Sequence, residues 1–148
     1  MIHNKSLKKF YFIESFNKSH IKNLDKDINI IYRNYKEEYN ESEIFELKKF
    51  CYKLGKKLFL SNNINMTIKL KLDGAYIPAF NKDISVYKLK NRKIQIIGSA
   101  HNLKEINEKK KQGVQIIFLS PLFKVPKSSK FLGISKFNIL ANTFNGGI

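Results

Sequence analysis

Side chains able to do acid–base, nucleophilic or anion-binding chemistry are few here, and their positions narrow what the chain can do. Its 148 residues include three histidines, one cysteine and two arginines. His3 and His20 fall in polar N-terminal segments, where exposure is expected. His101 instead follows the end of an apolar run and precedes an asparagine suited to start a helix. Imidazole exchanges protons near neutrality, so His101 is the candidate proton carrier, with packing or hydrogen bonding at the helix start as the competing role. Arg33 ends another apolar run, where a guanidinium suits either an oxyanion or a salt bridge. Cys51 lies on the apolar stripe of an expected helix and reads as a small core residue. No Cys/His cluster has metal-ligand spacing. Neither a G-x-G-x-x-G turn nor a G-x-x-x-x-G-K-[ST] phosphate loop is present, so nothing favours a dinucleotide-binding domain.

Composition bounds the rest. A chain of 17.3 kDa suits one domain, 1–148, with 43% apolar residues to build a core. No run approaches 18 apolar residues, and the N-terminus lacks the apolar stretch of a secretory signal. A cytoplasmic protein with no membrane partner is the expectation. The net charge of +16 admits a polyanion partner. However, nearly all of that charge is lysine in a chain also heavy in Asn and Ile, as A/T-rich coding produces, and base-edge readers lean on arginine. Charge alone therefore argues against nucleic acid as the partner.

The candidate residues must be positioned by alternating elements. Strands are expected at 10–13, 28–32, 58–60, 75–77, 94–97 and 114–119, the fourth stopped by Pro78 and the fifth running into Gly98. Residues 17–27 form a polar stretch. Helices are expected at 42–54, opened by Asn40 with Glu43 and stopped by Gly55, and from Asn102 with Glu105 to Gly113. Shorter helical segments fit 64–70 and 83–91. A loop rich in Lys and Ser spans 124–130, and Phe137, Leu140, Ala141 and Phe144 mark one face of a last helix. The run Lys109-Lys110-Lys111 at a helix end is expected to complement the helix dipole and remain solvated. Asp73-Gly74 is expected to be a turn holding the fourth strand. Near-continuous apolar strands alternating with helices predict a parallel sheet, either an open doubly wound sheet or a (β/α) barrel.

Between Leu58 and Pro121 the order of residues resembles the thiamine phosphate synthase/TenI family. Leu58-Phe59-Leu60-Ser61-Asn62-Asn63, then Leu72-Asp73-Gly74-Ala75-Tyr76-Ile77, is similar to its strand, Asn/Asp turn, helix and Ala-Asp-Gly-Val-His-Leu segment. Gly98-Ser99-Ala100-His101-Asn102 resembles its Gly-x-Ser-x-His segment, and Ile116 to Phe123 its next strand and loop. Arg33 falls at the Arg of an Arg-x-Lys signature, and Gly146-Gly147-Ile148 at a terminal Gly-Gly-Ile.

The resemblance implies an α/β TIM-type (β/α) barrel, incomplete at the C-terminus, with about six to seven βα units and a site at the carboxyl ends of the strands. It further implies thiamine biosynthesis, with a phosphorylated thiazole as ligand and, in synthase members, coupling to a pyrimidine pyrophosphate with Mg²⁺. Arg33, Ser99, Ser128, Ser129, Lys130, Gly146 and Gly147 are the phosphate- or substrate-binding residues it implies. Asn62 and Asn81 fall where the family holds Mg²⁺ with carboxylates, and an uncharged amide binds that hard cation more weakly. The signature Lys is replaced by Tyr35 and the tautomerase His by Pro121, leaving His101 as the catalytic candidate. Open barrel edges would suit a homo-oligomer that covers them. Three classes stay open: an enzyme of the synthase or tautomerase type, a catalytically impaired or non-enzymatic binding or regulatory protein, and a basic polyanion binder.

Overall fold

The structure is a computed structural model that describes residues 8–144. Two compact units divide the chain after Asp73. The first holds β1 (Lys9–Ile13), α1 (Lys18–Asn23), β2 (Ile28–Tyr32), α2 (Glu41–Lys53), β3 (Leu58–Ser61) and α3 (Ile64–Lys69). The second holds β4 (Gly74–Ile77), a 3₁₀ helix (Ile84–Arg92), β5 (Gln95–Ala100), α4 (Leu103–Lys111), β6 (Ile116–Leu119) and α5 (Gly133–Asn142). Within the first unit β1 pairs in parallel with β2, and β2 with β3. Within the second, β4 pairs in parallel with β5, and β5 with β6. Strand–helix alternation with parallel pairing is the α/β architecture the apolar pattern predicts. Among the described residues no helix is long and apolar enough to cross a membrane.

Local chemistry sets the element boundaries. Four helices begin at an asparagine whose side-chain oxygen accepts a backbone N–H three residues on: Asn17 from His20, Asn40 from Glu43, Asn63 from Met66 and Asn102 from Glu105. Such a cap stabilises a helix by about 1 kcal/mol. Helix α2 stops where Gly55 takes φ +67°, a conformation that costs glycine little. The six-residue α1 lies in the stretch that composition gave as merely polar. It carries a single buried residue, Ile21, and so shows no periodicity to detect. Strand β5 continues through Ser99 and Ala100, past the expected stop at Gly98.

In the first unit, alternate residues of β2 and β3 (Ile30, Tyr32, Leu58, Leu60) pack with Ile44, Leu47 and Cys51 of α2 in one core. Each such aliphatic side chain contributes about 1.5–3 kcal/mol by leaving water. Ile31 and Phe59 alternate with them and are also fully buried, with Phe10 edge-on to Phe59 at 5.4 Å. Both faces of the strands are therefore covered, as parallel sheets require. Burial pushes the Cys51 thiol up to about 12, which leaves it an inert core group. Asp73 accepts the Leu58 N–H at 2.9 Å and so joins the end of this unit to the start of β3.

One expectation fails in the second unit. Lys109, placed by sequence on a solvated helix end, is fully buried. Its Nζ donates to the Asn81 carbonyl at 2.7 Å and to Gln112 Oε1 at 2.8 Å. Gly98 makes room for it. A Cβ there would stand 2.8 Å from the Ile77 carbonyl oxygen and 3.2 Å from Lys109 Cδ. Burial lowers the Lys109 pKa from 10.5 to about 8; Glu108 and Glu105 oppose the shift and Lys82 adds to it. The folded state thus binds fewer protons than the unfolded state between those two pH values, and stability rises with pH across that window. Urea unfolding of the wild type at pH 8 and at pH 10.5 is expected to show a gain about 3 kcal/mol larger than that of Lys109→Met, in which this titration is absent. Equal slopes in the two proteins would show that Lys109 is not desolvated.

Candidate functional site

In barrels built from βα units the chemistry sits at the carboxyl ends of the strands, and the predicted residues of the first unit gather there. The backbone N–H of Arg33, the residue after β2, donates to the Ile13 carbonyl at the end of β1 at 2.8 Å. Its guanidinium lies 4.5 Å from the Phe12 ring centroid and 6.0 Å from that of Tyr35. Among the described residues no carboxylate pairs with Arg33, so the salt-bridge alternative finds no partner in this unit. Aromatic faces hold a guanidinium in place while leaving its in-plane N–H groups for an anion.

Beside it the end of β3 is organised by tyrosines. Tyr35 Oη and Ser61 Oγ share a hydrogen bond at 2.8 Å, and Tyr39 Oη donates to the Ser61 carbonyl at 2.7 Å. Tyr32 Oη donates to Glu43 Oε1 at 2.7 Å, and its ring lies 5.6 Å from that of Tyr39. Burial raises the pKa of Tyr32 and of Tyr39. Both phenols therefore stay protonated and act as fixed donors. Asn62 follows, exposed and in the left-handed region at φ +56°. None of this phenol network was legible in sequence, because its pairs lie up to 26 residues apart.

In the second unit Ser99, near the end of β5, is buried. Its Oγ accepts the Tyr76 hydroxyl at 2.9 Å and the Ala79 N–H at 3.1 Å. The serine that the family resemblance assigned to phosphate thus ties β4 and the loop after it to β5. His101 follows β5, and its Nδ1 is hydrogen-bonded to the carbonyl oxygen of Ser120, the residue after β6. A carbonyl only accepts, so Nδ1 carries a proton, and in the neutral form of the ring Nε2 is the acceptor. The backbone N–H of His101 donates to Glu105 Oε2 at 2.7 Å. The imidazole is therefore both fixed in tautomer and exposed, and it joins the ends of β5 and β6.

The loop between β6 and α5 is pinned at its neck by Leu132 N–H on the Pro121 carbonyl and Gly133 N–H on the Leu122 carbonyl, at 2.8 and 2.9 Å. Inside it, Ser128 Oγ donates to the Lys130 carbonyl at 2.9 Å and accepts the Lys130 N–H at 3.2 Å. The Ser128 hydroxyl shapes its own turn, while Ser129 and Lys130 are exposed. Gly146 and Gly147 lie outside the described residues.

The Mg²⁺ implied by the family resemblance finds no fitting donor set. Among the described residues no three His, Cys, Asp or Glu side chains stand together as a metal site. Asn81 Oδ1 already accepts the Asp83 N–H at 2.8 Å and Gln112 Nε2 at 3.3 Å.

No family model matches the chain, and a search of curated proteins finds no relative. Among solved structures, a thiamine phosphate pyrophosphorylase from Pyrococcus furiosus is similar over 95% of this chain and 76% of its own, with a TM-score of 0.63 at 16% identity. That likeness establishes the fold and nothing finer. This chain has an incomplete TIM-type (β/α) barrel fold, with six βα units among the described residues.

The structural role of Ser99 has a measurable consequence. Ser99→Ala leaves the Tyr76 hydroxyl and the Ala79 N–H without their acceptor, a loss of about 1–3 kcal/mol in urea unfolding of the ligand-free protein. Unchanged stability would mean that Ser99 serves only a ligand.

Proposed function

We propose that this chain binds a phosphorylated thiazole and serves thiamine biosynthesis or salvage. The observation that carries this reading is Arg33, held against Phe12 and Tyr35 at the end of β2 with no carboxylate partner among the described residues. A fixed, unneutralised guanidinium beside aromatic faces suits a ligand that is anionic at one end and a flat heteroaromatic at the other. The likeness in fold to a thiamine phosphate pyrophosphorylase supports the same ligand class. In the second unit, taken by itself, Ser129 and Lys130 are candidates for anionic oxygens, and His101 is the candidate to take up a proton at Nε2.

Coupling to a pyrimidine pyrophosphate is the finer activity, and here a second reading has its own support. A catalytically impaired or non-enzymatic binding or regulatory protein is favoured by Asn81, whose oxygens are engaged, and by Ser128, whose hydroxyl is occupied by its own turn. We therefore expect binding with weak or no turnover.

Calorimetric titration with thiazole phosphate is expected to give saturable binding that Arg33→Ala weakens about tenfold or more, the scale of a lost charge-assisted hydrogen bond. Equal affinity in the two proteins would remove Arg33 from the site. Robust turnover in a coupling assay with the pyrimidine pyrophosphate and Mg²⁺ would overturn the impaired reading and restore the synthase one.

A further inference from the structure

Within the second unit a groove of about 510 Å³ opens at the amino ends of β5 and β6, lined by none of the candidate residues above. That is the size of a small-molecule site. Tyr87 and Lys90 reach it from the 3₁₀ helix, Lys110 and Gly113 from the end of α4, and Gln115 from just before β6. Val114 and Phe144, each 7% exposed, add apolar lining. The Tyr87 ring packs against the turn that ends α4, where Gly113 takes φ +76°. A Cβ on Gly113 would fall 2.9 Å from Tyr87 Cδ2, so the glycine admits the ring. Tyr87 nonetheless stays 46% exposed.

The polar groups of this groove are donors. Lys90 Nζ lies 5.4 Å from the Tyr87 ring centroid, and among the described residues neither Lys90 nor Lys110 is paired with a carboxylate. Gln115 Oε1 accepts the Ile96 N–H at 3.2 Å, while the Gln115 N–H donates to the Ile96 carbonyl at 2.8 Å. The side-chain amide is thereby oriented, and its Nε2 has no acceptor among the described residues. Helix α4 brings the negative end of its dipole here, worth about half a unit charge. Two ammonium charges outweigh it.

We propose that this groove binds a small organic anion built on a flat ring, of the aromatic phosphate class. Lys90, Lys110 and Gln115 Nε2 meet the anionic oxygens, and the ring lies on the exposed part of Tyr87. One aromatic platform with two cations fits a single such molecule. A nucleic acid strand needs successive platforms along a basic track.

Heteronuclear NMR of the whole chain titrated with phenyl phosphate tests this. Saturable shifts of the Gly113 backbone amide and the Gln115 side-chain amide are expected. Lys110→Ala is expected to weaken that binding about fivefold, the scale of one exposed charge pair. Lys111→Ala, on the same helix end but outside the groove, is expected to leave it unchanged. Inorganic phosphate, which lacks the ring, is expected to bind at the same two amides about fivefold more weakly or less. Because the readout sits at Gly113 and Gln115, it decides this site whether or not Arg33 binds a ligand. No saturable shift at those amides, wild-type affinity in Lys110→Ala, or an equal loss in Lys111→Ala would overturn the site. Equal affinity for phosphate and phenyl phosphate would overturn the part given to the ring.

Discussion

A helix in a βα unit ends on carbonyl oxygens that no N–H of the helix can reach, and parallel strands require such a helix between every pair. In this chain lysine ammonium groups meet several of the carbonyls at these connections. Lys48 donates to the carbonyl of Leu70, the residue that caps α3. Lys56, itself buried, reaches the carbonyls of Leu24, Asp25 and Ile28, which line the passage from α1 into β2. Lys109 does the same for the loop after β4. Desolvating an ammonium group is costly, and several charge–dipole hydrogen bonds to one nitrogen are what offset it. The connections on which the candidate residues depend are held in this way.

That use of lysine changes what the charge of +16 means. Lys56 and Lys109 are withdrawn from the surface, and Lys9, Lys49 and Lys69 lie against carboxylates. Five of the basic side chains are thus engaged within the chain itself. The same correction applies to asparagine. Its abundance reads as coding bias, yet four asparagines start helices.

What sequence revealed and what it hid follow from the range of each interaction. All six strands were legible because apolar runs bounded by Gly, Pro or Asn are local signals. Helices α2 and α4 were legible from Asn40 with Glu43 and Asn102 with Glu105 for the same reason. Helix α1 was not, since one buried isoleucine cannot make a periodicity. Arg33 and His101 were found by their place after strands, and the structure puts both at carboxyl ends. The partners that decide their chemistry were invisible. Phe12 and Tyr35 beside Arg33, the Ser120 carbonyl on His101 and Gln112 behind Asn81 are set by packing between elements. Lys109 shows the limit most clearly: three adjacent lysines look alike in sequence, and one of them lies under Gly98 in the core.

The proposed recognition of a phosphorylated thiazole rests on the Arg33 guanidinium, held by Phe12 and Tyr35, and not on bulk electrostatics. Thermal unfolding of the purified chain, with and without thiazole phosphate, at low and high salt and with a nucleic acid control, tests it most directly. A ligand that binds only the native state must raise the melting temperature. A cooperative transition raised by the thiazole at both salt concentrations is the predicted result. A shift produced by the nucleic acid alone and lost at high salt, or no cooperative transition at all, would contradict it.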